Sequence, residues 1–211
     1  AVIFTPGYKK DWGAFLLTRW RYHVTDDVKG TFNWDYRFRK GFAVGANLDY
    51  KTKKYGQGIF RTYFPQEHAT DKKFFFLEAD EPAVIRERYK AEWRHKWEID
   101  RETQMMVQYY KLSDQDFLKD YFEREYDKDS NPPTYFVLTK GLPEGILSLR
   151  SEPRVNRFVS TVERIPELDY DLSNYQFGET NFYLKDTSSI ANLSKKNAYP
   201  DKDHRKTVRL D

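Results

Sequence analysis

Apolar and polar residues alternate along three consecutive stretches near the start of the chain, at residues 12–24, 28–38 and 42–50. A period of two is typical of a β-strand that has one apolar face and one polar face. Each stretch is about as long as a strand that crosses a bilayer, roughly 9–11 residues. Because the apolar face is rich in aromatic residues and the other face is charged, the pattern indicates an outer-membrane β-barrel.

The same criteria predict further strands and a total of about eleven. The additional strands span residues 58–64, 84–99, 103–111, 134–140, 145–150, 156–164, 167–172 and 181–193. The predicted fold class is all-β, an antiparallel up-and-down transmembrane β-barrel segment. An odd number of strands is unusual for a complete bacterial barrel, and open sheet edges are a liability. We therefore expect residues 1–211 to form part of one larger barrel domain, with no separate second domain.

Alternation assigns the side chains of each strand to one of two faces. Side chains on the apolar face are predicted to contact lipid: Trp20, Phe32, Trp34, Tyr36, Val44, Leu48, Trp93 and Trp97. Side chains on the polar face are predicted to line a hydrated lumen and the substrate path: Asn33, Asp35, Arg37, Asn47, Asp49, Arg86, Arg88 and Arg94. These charged side chains fit either a simple hydrated wall or a path that guides an anionic substrate. The sequence does not distinguish the two interpretations.

The predicted connections fall into two alternating classes. One class is short throughout and includes a turn at Ile165 and Pro166. The other class contains the long connections, at residues 65–83, 113–133 and 173–180. Barrels of this kind have short periplasmic turns and longer outer loops. We therefore expect residues 65–83 and 113–133 to be extracellular loops.

Composition narrows the possible classes of protein. Aromatic residues make up 18% of the chain, which argues against disorder. The mean hydropathy is −0.88, and no apolar run approaches the roughly 20 residues of a transmembrane helix. The net charge of +3 gives no electrostatic reason to expect nucleic-acid binding. Residues 1–6 resemble the middle of a protein and residues 206–211 the start of a strand, so we expect a longer polypeptide.

No arrangement of residues in the sequence indicates catalysis, a metal site or a cofactor. The four histidines, His23, His68, His95 and His204, are scattered and lack metal-ligand spacing. The serines lack a nucleophile motif. Residues 113–126 are the one stretch outside the strands with a helical pattern, because Phe117, Tyr121 and Phe122 share a helical face that Ser113 or Asp114 could cap. This stretch fits either a surface loop or a loop that packs over the pore or against a partner.

Several stretches, in the same order along the chain, resemble one protein family. The most specific is LSDQDFLKDYF at residues 112–122, and the others are YRFRKGFAVGANLDY (36–50), GQG (56–58), RHKWEID (94–100), PRVN (153–156), ERIPEL (163–168) and GET (178–180). Together they resemble the lipopolysaccharide-assembly outer-membrane proteins, the LptD or organic-solvent-tolerance family. The chain has no cysteine, so the disulfides of many members of that family have no counterpart here.

The resemblance implies a transport protein of the bacterial outer membrane rather than an enzyme. Its barrel wall would help to insert lipopolysaccharide (LPS) into the outer leaflet, with a plug lipoprotein, periplasmic LPS-transport proteins and membrane lipids as partners and no cofactor. Two alternatives stay open. The chain could belong to another outer-membrane barrel, a porin or an uptake receptor, or it could be a soluble, aromatic-rich β-sheet module that binds carbohydrate or protein.

Overall fold

The computed structural model describes residues 1–67 and 86–198, and within these residues it contains twelve β-strands and two short helices. The strands are β1 (Val2–Lys9), β2 (Gly13–Thr25), β3 (Val28–Arg37), β4 (Gly41–Thr52), β5 (Gly56–Glu67), β6 (Arg86–Glu87), β7 (Lys90–Glu98), β8 (Thr103–Leu112), β9 (Tyr135–Leu142), β10 (Gly145–Glu152), β11 (Thr161–Gln176) and β12 (Tyr183–Lys196). The helices α1 (Phe117–Tyr121) and α2 (Glu123–Tyr126) lie between β8 and β9.

All twelve strands form one antiparallel sheet in which chain neighbours are also sheet neighbours. The two-residue β6 pairs with β5 beside the start of β7 and lies off the main path. Within the described residues, β1 pairs only with β2 and β12 only with β11, so the sheet is open. The prediction of an all-β, antiparallel, up-and-down architecture is confirmed.

The first strand was not predicted, because it contains Pro6 and Gly7. Proline cannot donate a ladder hydrogen bond and is tolerated mainly in edge strands, and β1 is an edge strand of this sheet. Gly7 lies opposite Phe15 of β2, whose ring covers it. A Cβ atom at Gly7 would lie 2.4 Å from the Phe15 ring. Gly7 therefore leaves space for the Phe15 ring and does not mark a turn.

The predicted turn at Ile165 and Pro166 is wrong, because β11 runs through both residues. The pairing of β11 with β12 shifts register between Arg164 and Glu167, which places the proline in a bulge. The two predicted strands 156–164 and 167–172 are thus one strand, β11. The structure has twelve strands where about eleven were predicted, because β1 and the separate β6 are added and these two are merged.

The continuity of β11 also changes where the last connection lies. Residues 173–176 belong to β11, and the hairpin at residues 177–182 lies at the same end of the sheet as the short turns at 26–27, 53–55, 99–102 and 143–144. The long connection at residues 113–134 lies at the opposite end. The prediction that residues 173–180 belong with the long loops is therefore wrong. Of the predicted loop at 65–83, β5 includes the first residues, and residues 68–83 lie outside the described residues.

The predicted strand at residues 84–99 is interrupted. Its regular part, β7, begins at Lys90, and the two residues before it, Arg88 and Tyr89, belong to no strand. The backbone carbonyl of Tyr89 accepts a 2.9 Å hydrogen bond from the amide of Ser113, which extends the register of β7 and β8 by one residue. This bond connects the residue before β7 to the first residue after β8.

Candidate functional site

Residues of five strands share one face of the sheet, because the register aligns them. Arg19 lies opposite Asn33, Asn33 opposite Gly45, Gly45 opposite Tyr63, and Tyr63 opposite Lys90. Directly paired residues of adjacent strands point to the same side of a sheet. We call this side the polar face and the opposite side the aromatic face.

Residues 113–126, which we call the cap, fold onto the polar face at one end of the sheet. Phe117 and Leu118 of α1 are fully buried there, and Tyr121 is nearly so. They complete a small apolar core with side chains from the strands: Ala43, Tyr63, Tyr110 and Leu112. The segment packs against the sheet of its own chain, and packing over a pore or against a partner stays a prediction. The helix is not capped by Ser113 or Asp114, because its N-cap is Asp116, without a side-chain cap hydrogen bond.

Arg88 holds both halves of the cap through charge-assisted hydrogen bonds. Its Nε and Nη2 donate to the carboxylate of Asp114 at 2.8 and 2.6 Å, and its Nη1 donates to Asp120 Oδ2 at 2.7 Å. The Arg88 side chain is only 4% exposed. A paired fork of this kind fixes orientation as well as distance. Arg88 thus determines where the cap lies on the polar face.

The same contacts change the acidity of Asp114. Burial alone would raise the pKa of its carboxyl group. The hydrogen bonds from Arg88 and Ser113 outweigh burial, however, and hold the pKa of Asp114 below its ordinary value. The carboxylate is therefore ionised whenever the cap is in place near neutral pH.

A second arginine lies beneath the cap, between aromatic rings. Arg37 Nη1 donates a 2.7 Å hydrogen bond to the Tyr63 hydroxyl, which donates a 2.6 Å bond to Asp35 Oδ2. The Arg37 guanidinium carbon lies 4.3 Å from the centre of the Trp12 ring and 5.1 Å from that of Tyr121. Cations over aromatic faces are stabilised by the ring quadrupole, and more strongly when desolvated. The Trp12 and Tyr121 rings therefore stabilise the buried charge of Arg37.

The third buried cation is Lys90, which links the second half of the cap to the sheet. Its ammonium group bonds the carboxylate of Glu125 and lies 3.3 Å from Glu92 Oε2. Glu92 is only 1% exposed and is also paired with Arg94, whose Nε lies 2.9 Å from Glu92 Oε1. The Tyr110 hydroxyl donates a 3.1 Å hydrogen bond to Glu125. Each of these buried charges therefore faces an opposite charge.

Turns at the same end of the sheet hold the cap from its other side. The Trp12 indole donates a 2.9 Å hydrogen bond to the backbone carbonyl of Asp120, and Lys9 pairs with Glu123 at 2.6 Å. Asn156, in the connection between β10 and β11, accepts a hydrogen bond from the Leu112 amide at 2.9 Å. Segments that are distant in sequence thus contact the cap itself and Leu112, the residue that precedes it.

Beside the cap, the polar face contains an open cavity of about 680 Å³. Its lining is mostly basic and polar: Arg19, Arg21, His23, Lys29, Thr31, Asn33, Asn47, Asp49, Arg61, Tyr63, Lys90, Phe122 and Glu125 are among its residues. The cap contributes Phe122 and Glu125, and the strands contribute the rest. The cavity can hold an anion of the size of a small sugar, and it lies where the sequence predicts the substrate path.

The predicted lumen residues occupy three kinds of position. Asn33, Asn47 and Asp49 line the cavity, and Arg94 lines a neighbouring depression of about 430 Å³ that also includes Asp49.

Asp35, Arg37 and Arg88 are buried beneath the cap. The side chain of Arg86 lies outside the described part of the structure. The predicted lumen residues whose side chains are described all lie on the polar face. The prediction that this face borders a lumen stays a prediction.

The predicted lipid-facing residues share the aromatic face. Six are exposed, with Trp34 at 54%: Trp20, Phe32, Trp34, Tyr36, Val44 and Trp93. Leu48 and Trp97 are half-buried. Contiguous exposed apolar surface of this extent marks an interaction site for a partner or a membrane. Contact with lipid stays a prediction.

The predicted substrate path did not include the basic residues of β2 or the buried pair Lys90 and Glu92. The alternation already places Arg19 and Arg21 on the polar side of β2. The alternation does not give the register, which places Arg19 and Arg21 beside the polar residues of β3 and β4. The signal that could have found them is the shared parity of successive hairpin strands.

The chain matches no known family profile and no curated protein. Among the described residues, no helix has the length and apolar character needed to cross a membrane. The described residues also contain no group of three or more histidine, aspartate or glutamate side chains that could hold a metal ion.

Proposed function

We propose that this chain forms part of the wall of a large outer-membrane barrel that transfers LPS to the outer leaflet. The observation that carries the proposal is the division of one sheet into an exposed aromatic face and a charged face with a cavity. A soluble two-faced sheet buries its apolar side against a second layer. Here the segment that is packed onto the sheet, the cap, covers part of the polar side.

Lipid is the environment that fits such an aromatic face. Trp34 and Phe42 stack with ring centres 6.4 Å apart, and Tyr36 and Phe42 lie at 4.7 Å. These rings form a continuous apolar surface across adjacent strands. Burial in hydrocarbon stabilises apolar surface by about 25 cal/mol per Å². The strands β2 to β5, with 10 to 13 residues each, are also long enough to cross the hydrocarbon core.

A membrane wall also requires paired edges. In lipid each unpaired backbone group costs several kcal/mol, so a spanning sheet must close. The proposal therefore includes further strands beside β1 and β12, which complete the barrel. Pro6 would then leave one position of β1 without a donor for the ladder. The polar face then borders the lumen, and the cap lies inside the barrel near one rim.

The choice of LPS as cargo rests on the resemblance of residues 112–122 to the LPS-assembly family. In the structure these residues are the end of β8 and the first part of the cap. Asp114 and Asp120 accept hydrogen bonds from Arg88, and Phe117 is buried in the core beneath the cap. Transport along the wall is passive. The lipid part of LPS would contact the membrane, and the polar face would hydrate its sugars. Partner proteins of the periplasm and a plug lipoprotein belong to the same proposal.

The first test of the proposal compares two substitutions that introduce the same side chain on opposite faces. Trp34→Arg places a charge on the aromatic face and is expected to impair assembly into outer membranes, at a cost of roughly 2–4 kcal/mol near the bilayer midplane. Asn33→Arg, on the polar face, is the matched control and should assemble normally. The measurement is the amount of folded protein in detergent-extracted outer membranes. Equal effects would refute the assignment of the faces.

The second test separates LPS assembly from other barrel functions. Depletion of the full-length protein is expected to reduce LPS at the cell surface, measured by surface labelling, before the uptake of small solutes changes. Loss of solute uptake with normal surface LPS would favour a porin or receptor. Recovery of the protein in the aqueous fraction would favour a soluble module.

A further inference from the structure

The floor of the cavity beside the cap is built from rows of paired residues that run across the strands. In the central row, Arg21 lies opposite Thr31, Thr31 opposite Asn47, and Asn47 opposite Arg61. Adjacent strands are about 4.8 Å apart, so the two arginine backbones are separated by roughly 14 Å. Two uncharged hydrogen-bonding side chains therefore lie between two guanidinium groups.

The rows on either side have different characters. In the row nearer the cap, Arg19 is followed by Asn33 and Gly45, and Gly45 has no side chain to fill the cavity. In the row farther from the cap, His23 lies opposite Lys29 and Lys29 opposite Asp49. Along β2, Arg19 and Arg21 are two residues apart, a separation of about 6.6 Å. The basic side chains thus cluster on the β2 and β3 side of the cavity.

The cations of the cavity differ in whether a carboxylate already neutralises them. Lys90 is paired with Glu92 and Glu125, and Arg61 lies 4.0 Å from Glu92. The side chains of Arg19 and Arg21, in contrast, have no acidic partner within 4.0 Å among residues 1–67 and 86–198. These two guanidinium groups are therefore available to an anion.

The geometry of the groups selects a class of anion. Guanidinium groups bind phosphate through two parallel hydrogen bonds, and they stay charged at any physiological pH. Thr31, Asn33 and Asn47 provide hydroxyl and amide groups that can donate to or accept from sugar hydroxyls. The Phe122 side chain adds an apolar surface from the cap. Phosphate and hydroxyl recognition are thus combined within one cavity.

We propose that this cavity binds a phosphate monoester carried by a saccharide, with the phosphate at Arg19 and Arg21 and the sugar above Thr31, Asn33 and Asn47. The choice of a saccharide as ligand rests on the proposed function, to which this site adds a binding step. The phosphate specificity rests only on the cavity.

The experiment measures binding of glucose 1-phosphate to the full-length protein in detergent by isothermal titration calorimetry. Glucose and inorganic phosphate are the comparison ligands. Wild type is expected to bind glucose 1-phosphate at least tenfold more tightly than either comparison ligand. The double variant Arg19→Gln/Arg21→Gln is expected to lose at least tenfold in affinity.

The matched control is Arg101→Gln/Arg124→Gln, which removes the same charge from two exposed arginines outside the cavity. Its affinity should stay within twofold of wild type. A similar loss in both double variants would overturn the site, because it would show attraction by net charge alone. Absence of binding by folded wild type would also overturn it. Equal affinity for inorganic phosphate would overturn the saccharide part.

Binding in detergent is independent of LPS export, so the two proposals fail separately. A protein that binds glucose 1-phosphate but is absent from outer membranes would retain the site and refute the proposed function. A protein that controls surface LPS but does not bind the sugar phosphate would do the reverse.

Discussion

The hydroxyl of Tyr63 donates a 2.6 Å hydrogen bond to Asp35 and so connects β5 to β3 across the strand between them. The bond is possible because the intervening residues of β4, Ala43 and Gly45, are small. Arg37 completes the group with a 2.7 Å bond to the same hydroxyl. The cap then covers all three polar side chains, so this part of the sheet combines buried charge with close aromatic packing.

Removal of the Tyr63 hydroxyl is expected to destabilise the sheet beneath the cap. Tyr63→Phe leaves Asp35 and Arg37 buried with one fewer partner each, and an unsatisfied buried group costs about 1–3 kcal/mol. The measurement is the thermal unfolding midpoint of the detergent-extracted protein. Tyr109→Phe, on the exposed aromatic face, is the control and should change the midpoint little. Equal shifts would contradict the role of the hydroxyl.

Arg88→Gln is expected to release the cap. The change leaves Asp114 and Asp120 without their buried cation, and breaking a buried pair from one side costs about 3–5 kcal/mol. Amide hydrogen exchange of residues 113–126 should therefore become faster, whereas exchange in β10 and β11 should not change. Arg124→Gln removes an exposed charge from α2 and should leave exchange as in wild type. Unchanged exchange in Arg88→Gln would show that the other contacts of the cap hold it in place without Arg88.

Acid should loosen the cap through Asp114. The pKa of this carboxyl group is lowered in the folded protein, so folding favours its ionised form. The resulting stability is fully present above the unfolded pKa of about 4 and is lost as the pH falls through the lower, folded value. Amide exchange of the cap, corrected for its intrinsic pH dependence, should therefore accelerate below about pH 4 in wild type. In Asp114→Asn this component of the acid response should be absent, and an identical response in both proteins would assign it to another carboxyl group.

Gly45→Ala is expected to disturb the position of Tyr63. A Cβ atom at Gly45 would lie 2.7 Å from Tyr63 Cδ2 and 2.9 Å from the backbone carbonyl oxygen of Thr62. Overpacking of this kind typically costs about 1–3 kcal/mol. Gly141→Ala is the matched control, since its nearest neighbour would be 3.5 Å away. The thermal unfolding midpoint should fall for Gly45→Ala and stay near that of wild type for Gly141→Ala.

The sequence contained most of the sheet, because alternation is a local property. Strands β2 to β4 were predicted almost to the residue. Two of the errors lie where a proline interrupts the pattern without ending the strand, at Pro6 in β1 and Pro166 in β11. An edge position and a bulge, respectively, accommodate these prolines, and neither can be recognised before the strand pairing is known.

The site was less accessible to sequence reasoning than the fold. The faces of Asn33, Asn47 and Asp49 followed from alternation alone. The contact of Arg88 with Asp120 depends instead on how the connection after β8 folds back across the sheet. Local periodicity indicates that residues 113–126 are helical, but it carries no information about which strands they meet.

The position of the cap separates two groups of basic side chains on the polar face. Under the cap, Arg37, Arg88 and Lys90 are matched by carboxylates within hydrogen-bonding or ion-pair distance. Toward the short turns, Arg19 and Arg21 add positive charge without such a match among the described residues. The unmatched positive charge of the polar face therefore lies in the open cavity, where solvent can reach it. The matched charges lie where the cap excludes solvent.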